Sequence, residues 1–388
     1  MSEEKLRPIF SPAPDRSLSV YIHVPFCARK CRYCSFYSIP YDSGTAEVWS
    51  RTVLEELNLY ALQPPIQTLY FGGGSPSVLP ARQLRSFLCR LLKEIGTVEE
   101  FTVEINPAQA DHDFFSVCRD SGVNRISIGA QSFHPDELSF LGRLHRPEDI
   151  ESCVKTAKQF GFDNIGLDLI FGIPGSSLKS WEESLSKALS LDIAHLSAYS
   201  LTYEQGTPLF QDLQDGKIVP LDEETDRRMY EITIDTLAAA GFEHYEISNF
   251  ARPGFSCRHN LRYWDNRPWI GLGPSAASWF SGRRTQNVAD LNRYIQSIQN
   301  SRFAFEEVLT PSPMETACET AVLNLRKTAG INPKLFLQQT GYDPLVLFAG
   351  PIQNYVSLGL MVCTPESIRL TRPGFAVADS ILSDFSDL

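Results

Sequence analysis

Apolar residues arrive in two alternating rhythms from residue 18 onward. Short runs rich in Val, Ile, Leu, Phe and Tyr predict strands over 18–24, 67–71, 100–105, 125–128, 164–171 and 195–201. Longer stretches with apolar residues at helical spacing follow them, over 46–62, 80–95, 109–121, 148–160 and 178–189. Strands alternating with helices imply an α/β fold with a parallel sheet covered by helices. Six such units fit an open, partial (β/α)6 barrel better than a complete eight-unit one.

The rhythm changes twice. A second region starts near residue 221, with a helix over 223–240 and a strand-like run over 243–250. From about residue 310, helices at 314–325 and 333–340 and a short strand at 367–371 predict a small C-terminal helical, winged-helix-like appendage. The expected organisation is a loose leader at 1–16, a barrel at 17–220, an extension at 221–308 and a small domain at 309–388. No internal repeat or low-complexity tract appears.

Composition narrows the function classes. The net charge of −11 repels phosphate backbones and argues against nucleic acid as the main partner. No run of about 18 uninterrupted apolar residues exists, which excludes a conventional membrane span but leaves peripheral membrane contact open. The first residues lack the apolar stretch of a signal peptide, so a cytoplasmic location is expected. Cys89, Cys118, Cys153, Cys257, Cys318 and Cys363 are scattered singly and read as small core residues in a reducing compartment.

The other three cysteines carry the chemistry. Cys27, Cys31 and Cys34 fall within eight residues as C-x3-C-x2-C, directly after the first strand. Thiolates are soft ligands, and three from one loop favour an iron–sulfur cluster or zinc. Zinc would need a fourth ligand such as Cys257 or His259. A four-iron cluster with three protein ligands keeps one iron open to a small molecule, and cluster binding is the preferred reading.

Further candidates close the later strands. Gly72-Gly73-Gly74-Ser75-Pro76 lets a backbone approach a ligand closely. Glu104, Gln131 and Arg143 follow at the same rim, and Asp168 interrupts an apolar strand, which is costly unless it is paired. Two acids, an amide, an arginine and bare backbone suit an amino acid joined to a nucleoside.

With these motifs the sequence resembles the radical S-adenosylmethionine (SAM) superfamily, and more closely its coproporphyrinogen-dehydrogenase branch. Tyr-Ile-His-Val-Pro-Phe-Cys, Ile-Gly-Ala-Gln-Ser-Phe, Leu-Gly-Arg-Leu-His, Asp-Leu-Ile-Phe-Gly-Ile-Pro-Gly and Glu-Gln-Gly-Thr-Pro-Leu carry the likeness from residue 18 to about 280. The resemblance implies that Cys27, Cys31 and Cys34 hold a [4Fe–4S] cluster whose open iron binds SAM. It implies that Tyr21, Gly73, Gly74, Ser75, Glu104, Gln131, Arg143 and Asp168 contact SAM.

Two departures divide the branch. The porphyrinogen-oxidising enzymes carry a fourth cysteine two residues after the third and a longer N-terminal extension. Here that position is Phe36, and 26 residues precede Cys27. Both features resemble the HemW-type heme chaperones. The run His259-Asn-Leu-Arg-Tyr263-Trp264 resembles their heme-associated His-Asn-x-x-Tyr-Trp motif, implying heme as a ligand with His259, Tyr263 and Trp264 as candidates. Read bottom-up, a lone His is more often a hydrogen-bonded structural residue, and a Tyr-Trp pair is more often core. The resemblance thus implies a heme chaperone that passes heme to an acceptor protein, its cluster gating dimerisation, membrane contact or transfer. The alternatives are an oxygen-independent coproporphyrinogen III oxidase and, more weakly, an electron-transfer protein.

Overall fold

The computed structural model describes residues 17–62 and 65–386; the expected leader at 1–16 lies outside the described residues. Twelve strands form one sheet, numbered here in chain order. They are β1 (Leu18–Val24), β2 (Ile66–Gly73), β3 (Glu100–Ile105), β4 (Arg125–Gln131), β5 (Ile165–Phe171), β6 (His195–Ser200), β7 (Glu243–Glu246), β8 (Asn249–Ala251), β9 (Trp269–Leu272), β10 (Ala277–Phe280), β11 (Arg283–Asn287) and β12 (Phe305–Leu309). Their spatial order is β12-β11-β10-β9-β1-β2-β3-β4-β5-β6-β8-β7.

The middle of that order, β1 to β6, runs parallel in sequence order and is the expected partial barrel. Each crossover carries helix against the outer face. Helix Ala81–Ile95 shows the reason, with Leu84, Phe87, Leu88 and Leu91 repeating at helical spacing and all buried. Helix Ser43–Leu59 starts at Asp42, whose carboxylate accepts the Thr45 N–H at 2.8 Å, a cap worth about 1 kcal/mol.

The sheet continues past the barrel on both sides. β9 adds a seventh parallel strand beside β1, and β10 to β12 follow antiparallel. At the other edge the run expected as one strand over 243–250 folds instead as the β7–β8 hairpin, antiparallel to β6. The chain turns at Ile247-Ser248, where the Ser248 N–H donates to Glu246 Oε1 at 3.2 Å.

Strand alternation gives the barrel two chemically opposite faces. Leu18, Val20, Ile22 and Val24 of β1 point to the helices, as do Phe101 and Val103 of β3 and Ile126 and Ile128 of β4; all are buried. Each such side chain contributes about 1.5–3 kcal/mol by leaving water. The alternate positions face inward and are polar on almost every strand. The lumen is therefore a hydrogen-bonded interior, not an apolar plug.

Residues from Ala317 to Phe385 build a separate apolar core. It joins helices Pro313–Leu325, Pro333–Thr340, Ala349–Ser357 and Ala378–Ser386 with a hairpin of Met361–Cys363 and Ile368–Leu370. Helices with a terminal β-wing are the appendage the sequence predicts. This unit docks on the segment around Trp264. Asn324 Nδ2 donates to Trp264 O (2.9 Å), Asn266 Nδ2 to Thr320 Oγ1 (2.9 Å), and Gln339 Nε2 to Asp265 O (3.0 Å). Lys327 pairs with Asp265, and Arg326 lies 4.9 Å over the Trp264 ring. No described helix is long and apolar enough to cross a membrane.

Candidate functional site

The mouth of the barrel lies where strands hand over to loops. After β1, residues Phe26–Cys27 pair with Ile39–Pro40 and close a loop carrying Cys31 and Cys34. The next strand end holds this loop from below: Gly74 N–H donates to Val24 O (2.7 Å) and Ser75 N–H to Phe26 O (2.8 Å). Two other segments clamp it from the side. Arg32 donates its N–H to Leu141 O (3.1 Å), receives Leu209 N–H on its carbonyl (3.0 Å), and pairs with Asp212 at 2.5 Å. Arg29 reaches Gly142 O at 2.6 Å. The Leu209 contact explains why Gln-Gly-Thr-Pro-Leu belongs with a cysteine loop so distant in sequence.

Cys27, Cys31 and Cys34 are free and half-buried. Arg143 Nη1 sits 3.6 Å from Cys31 Sγ, a cation where thiolate charge would be stabilised. As bare thiols Cys27 and Cys34 are pushed up by burial. Among the described residues no three His, Cys, Asp or Glu side chains converge as ligands of a single metal ion would. Cys257 and His259 lie at the opposite end of the barrel, so the zinc tetrahedron that either could have completed is not formed. Three soft thiols on one clamped loop beside a buried arginine fit the ligand set of a multi-iron cluster.

The glycines are demanded by close packing. A Cβ on Gly73, at φ +104°, would stand 2.5 Å from His23 Nδ1; on Gly74 it would stand 2.6 Å from Phe26 O. Gly73 N–H donates to Glu104 Oε2 (3.1 Å), and Tyr70 O–H to Glu104 Oε1 (2.6 Å). Burial, with the Asp168 charge adding to it, pushes the Glu104 carboxyl up to about 7. Asp168 accepts from Ser197 Oγ (2.6 Å) and Ser127 Oγ (3.2 Å), and burial raises it too. The acid interrupting β5 is thus paired with inward-facing hydroxyls. Ser75 Oγ is turned to Gln109 Oε1 (2.9 Å), beside Ser77.

Gln131 ends β4 at φ +65°, a left-handed conformation that costs a non-glycine residue and here turns its amide back over Gly129. Arg143 Nη2 donates to Gly129 O (2.7 Å), and its Nε to His145 Nδ1 (3.3 Å). His145 Nε2 engages Ala130 O (2.9 Å), and burial with the Arg143 charge pushes that imidazole down to about 4. A neutral ring that donates from Nε2 and accepts at Nδ1 orients Arg143. His145 gave no specific signal in the sequence, nor did Tyr70. Tyr21 O–H meets His23 Nδ1 at 3.1 Å, and His23 Nε2 meets Tyr37 O at 2.9 Å, so His23 shapes the cysteine loop.

His259, Tyr263 and Trp264 do not join this group. They lie on helix Arg258–Trp264, which closes the N-terminal end of the barrel as a floor. Glu100, at the start of β3, accepts the Arg258 and His259 N–H groups (2.9 and 2.8 Å), a carboxylate anchoring the first turn. His259 is fully buried; its Nδ1 meets Thr68 Oγ1 (2.8 Å) and its Nε2 meets Tyr263 O–H (2.7 Å). Both nitrogens are engaged and burial pushes the ring down to about 3, so as folded His259 offers no lone pair to an incoming iron. Trp264 lies against Arg326 of the C-terminal unit. The expected heme face is a barrel floor, because the inward alternation of β1 and β2 supplies polar partners that absorb the motif.

Residues 21–188 match the family model of the radical SAM superfamily, which sets the class of fold and cysteine loop. Membership of that superfamily implies a [4Fe–4S] cluster and SAM. The solved structure of coproporphyrinogen III oxidase (HemN) from Escherichia coli superimposes with a TM-score of 0.82. It covers 96% of this chain and 91% of that one, at 22% identity, a likeness of fold alone. Heme chaperone HemW of Bacillus subtilis is 35% identical over 95% of this chain and 98% of its own length. Heme chaperone HemW of Lactococcus lactis is 32% identical over 95% and 97%. The mitochondrial radical S-adenosyl methionine domain-containing protein 1 of Danio rerio is 30% identical over 94% and 86%. The chain belongs to the HemW family within the radical SAM superfamily.

Proposed function

We propose that this chain is a heme chaperone that binds heme and passes it to an acceptor protein. The carrying observation is its end-to-end likeness to chains described as heme chaperones, with 35% identity over 95% of the sequence. Phe36, 63% exposed beside Cys34, agrees with it: the oxidising branch would place a fourth thiol there.

Cys27, Cys31 and Cys34 would hold the cluster, and SAM would lie against Tyr21, Gly73, Gly74, Ser75, Glu104, Gln131, Arg143 and Asp168. When bound, such a cluster supplies an iron site for the amino acid end of SAM and a store for one electron. The chain's own contacts support this reading. Arg143, held by Gly129 O and His145, presents a fixed cation to a carboxylate. Glu104 and Asp168 present acids to an ammonium or to ribose hydroxyls. The glycine run brings bare backbone to the same place.

Heme ligation by His259 through Nε2 would require the floor helix to give up the Tyr263 contact, while Nδ1 could keep Thr68. The contacts of His259 support a floor role for that motif, with heme received elsewhere. Heme titration of anaerobically reconstituted protein, with a porphyrinogen assay on the same sample, tests the proposal. Stoichiometric heme uptake without decarboxylated product is expected. Decarboxylation of coproporphyrinogen III without heme uptake would overturn it in favour of an oxidase.

A further inference from the structure

Just above the floor helix the lumen holds a set of polar atoms that the SAM site does not use. Arg125, the first residue of β4, points inward and is 2% exposed. Among the described residues its guanidinium forms no hydrogen bond and no ion pair. Burying guanidinium N–H groups without hydrogen-bond acceptors is costly even where a carboxylate such as Glu100 acts on the charge from a distance. Two neighbours share the condition. Thr102, the register partner of Arg125 on β3, is fully buried with its hydroxyl unpartnered, and so is His195 on β6 at Nδ1.

These atoms converge. Gly166 of β5 pairs with His195, and a Cβ built on it would stand 3.2 Å from His195 Nδ1 and 3.5 Å from Arg125 Nη2. The missing side chain at 166 lets the arginine and the imidazole approach one point between β4 and β6. Cross-strand pairing puts the Thr102 side chain beside Arg125 on the same inner face.

The hydrogen-bond network also fixes what these atoms offer. Tyr245 O accepts the Cys257 N–H (3.3 Å) and lies 2.7 Å from His195 Nε2. The tyrosine proton has no other acceptor among the described residues, so it goes to Nε2, and the imidazole proton sits on Nδ1. His195 is neutral, its basicity depressed by burial and by the Arg125 charge. The space is then lined by donors: a guanidinium fork, an imidazole N–H and a hydroxyl.

Glu100 supports the Arg125 charge from a distance, but the hydrogen bonds of the nearby groups go elsewhere. Glu100 spends its oxygens on Cys257 Sγ (3.6 Å), Arg258 N–H and His259 N–H. Cys257 remains a thiol, because burial raises it far above neutrality. Tyr70 donates to Glu104, and Asp168 is held by Ser127 and Ser197 higher in the lumen.

We propose that Arg125, Thr102 and His195 form a binding site for a small carboxylate, of formate or acetate size, on the barrel floor beneath the SAM-contacting residues. The planar fork of Arg125 matches a carboxylate in two parallel bonds, and the hydroxyl and imidazole N–H take its remaining lone pairs. The site is independent of where heme binds.

Calorimetric titration of the full-length, anaerobically reconstituted protein with formate and acetate at fixed ionic strength tests this, alongside bromide-soaked crystals read by anomalous scattering. Saturable binding and a bromide peak within contact of Arg125 are expected. Thr102→Val, which keeps shape and removes the hydroxyl, should weaken formate about tenfold. Gly166→Ala, which intrudes on the shared space, should weaken acetate more than formate. Arg125→Met should abolish binding, and should it fail to fold, the Val and Ala variants carry the test. No saturable binding by the parent protein, or binding unchanged in both Thr102→Val and Gly166→Ala, would overturn the site.

Discussion

Replacing Glu104 by Gln keeps the shape of a lumen side chain and removes its titration. In the parent chain the carboxyl is buried, receives Tyr70 O–H and Gly73 N–H, and faces the Asp168 charge, with Arg125 acting in the opposite sense. Its proton is held up to about 7, against an ordinary value of 4.5. That gap corresponds to about 3 kcal/mol of preference for the neutral form in the folded chain. A folded pKa above the unfolded one means stability present below 4.5 that is lost as pH rises through about 7. The Gln variant should therefore lose less stability than the parent between pH 5 and pH 8, by about 3 kcal/mol, in urea melts of both proteins.

Binding should respond in the opposite sense. If Glu104 accepts from the SAM amino group, its ionised form serves best, and about a tenth of molecules are ionised one pH unit below the folded value. SAM affinity of the reconstituted parent should rise about tenfold from pH 6 to pH 8, with proton release measurable by calorimetry in two buffers. The Gln variant should bind weakly and without that rise. A flat parent profile, or an equal rise in the Gln variant, would refute the assignment of Glu104.

Other substitutions probe separate links. Gly74→Ala forces a methyl to within 2.6 Å of Phe26 O, so iron content after reconstitution should fall severalfold while circular dichroism is retained. His259→Phe removes both internal hydrogen bonds, strands the Tyr263 hydroxyl and leaves Thr68 only its bond to Ser19, costing about 1–3 kcal/mol in urea melts. Its heme uptake per folded molecule should be unchanged, and a specific loss would restore His259 as an iron ligand. Glu56, buried under donors from Tyr294, Asn287 and Gly273, is pushed up to about 7 by burial. Glu56→Gln should flatten the stability decline between pH 5 and pH 8. Phe36→Cys should leave coproporphyrinogen untouched, because the missing thiol marks the branch without creating its chemistry.

The barrel was legible because its strands are local, apolar and followed by amphipathic helices. Leu18–Val24 and Glu100–Ile105 have the bounds that the apolar runs predict. The strand expected at 125–128 runs on to Gln131, past Gly129, which apolar counting rejects but the ladder accepts. β9 was invisible: Trp269-Ile-Gly-Leu is short and follows a proline, and it becomes a strand only because the distant β1 offers an edge. The rim residues could be read as chemistry at strand ends. Arg125, Thr102 and His195 could not, although one signal was present. Polar residues at alternate positions of otherwise apolar strands mark an interior face that holds water or a ligand, and only Asp168 was noticed in that way. The surroundings of the His-Asn-x-x-Tyr-Trp run were hidden for a related reason. A sequence shows that a histidine is there, whereas one of its nitrogens is engaged by Thr68, nearly two hundred positions away, and the other by Tyr263 on the same helix.

The appended C-terminal unit grips the helix that seals the barrel, through Asn324, Thr320, Gln339, Lys327 and Arg326. That helix in turn braces the strands on which the candidate SAM residues stand. A protein that seizes the appendage is holding a handle whose shaft runs to the base of the barrel. Tilting the handle strains the seal before it disturbs the mouth, so a signal from outside would enter this molecule from underneath.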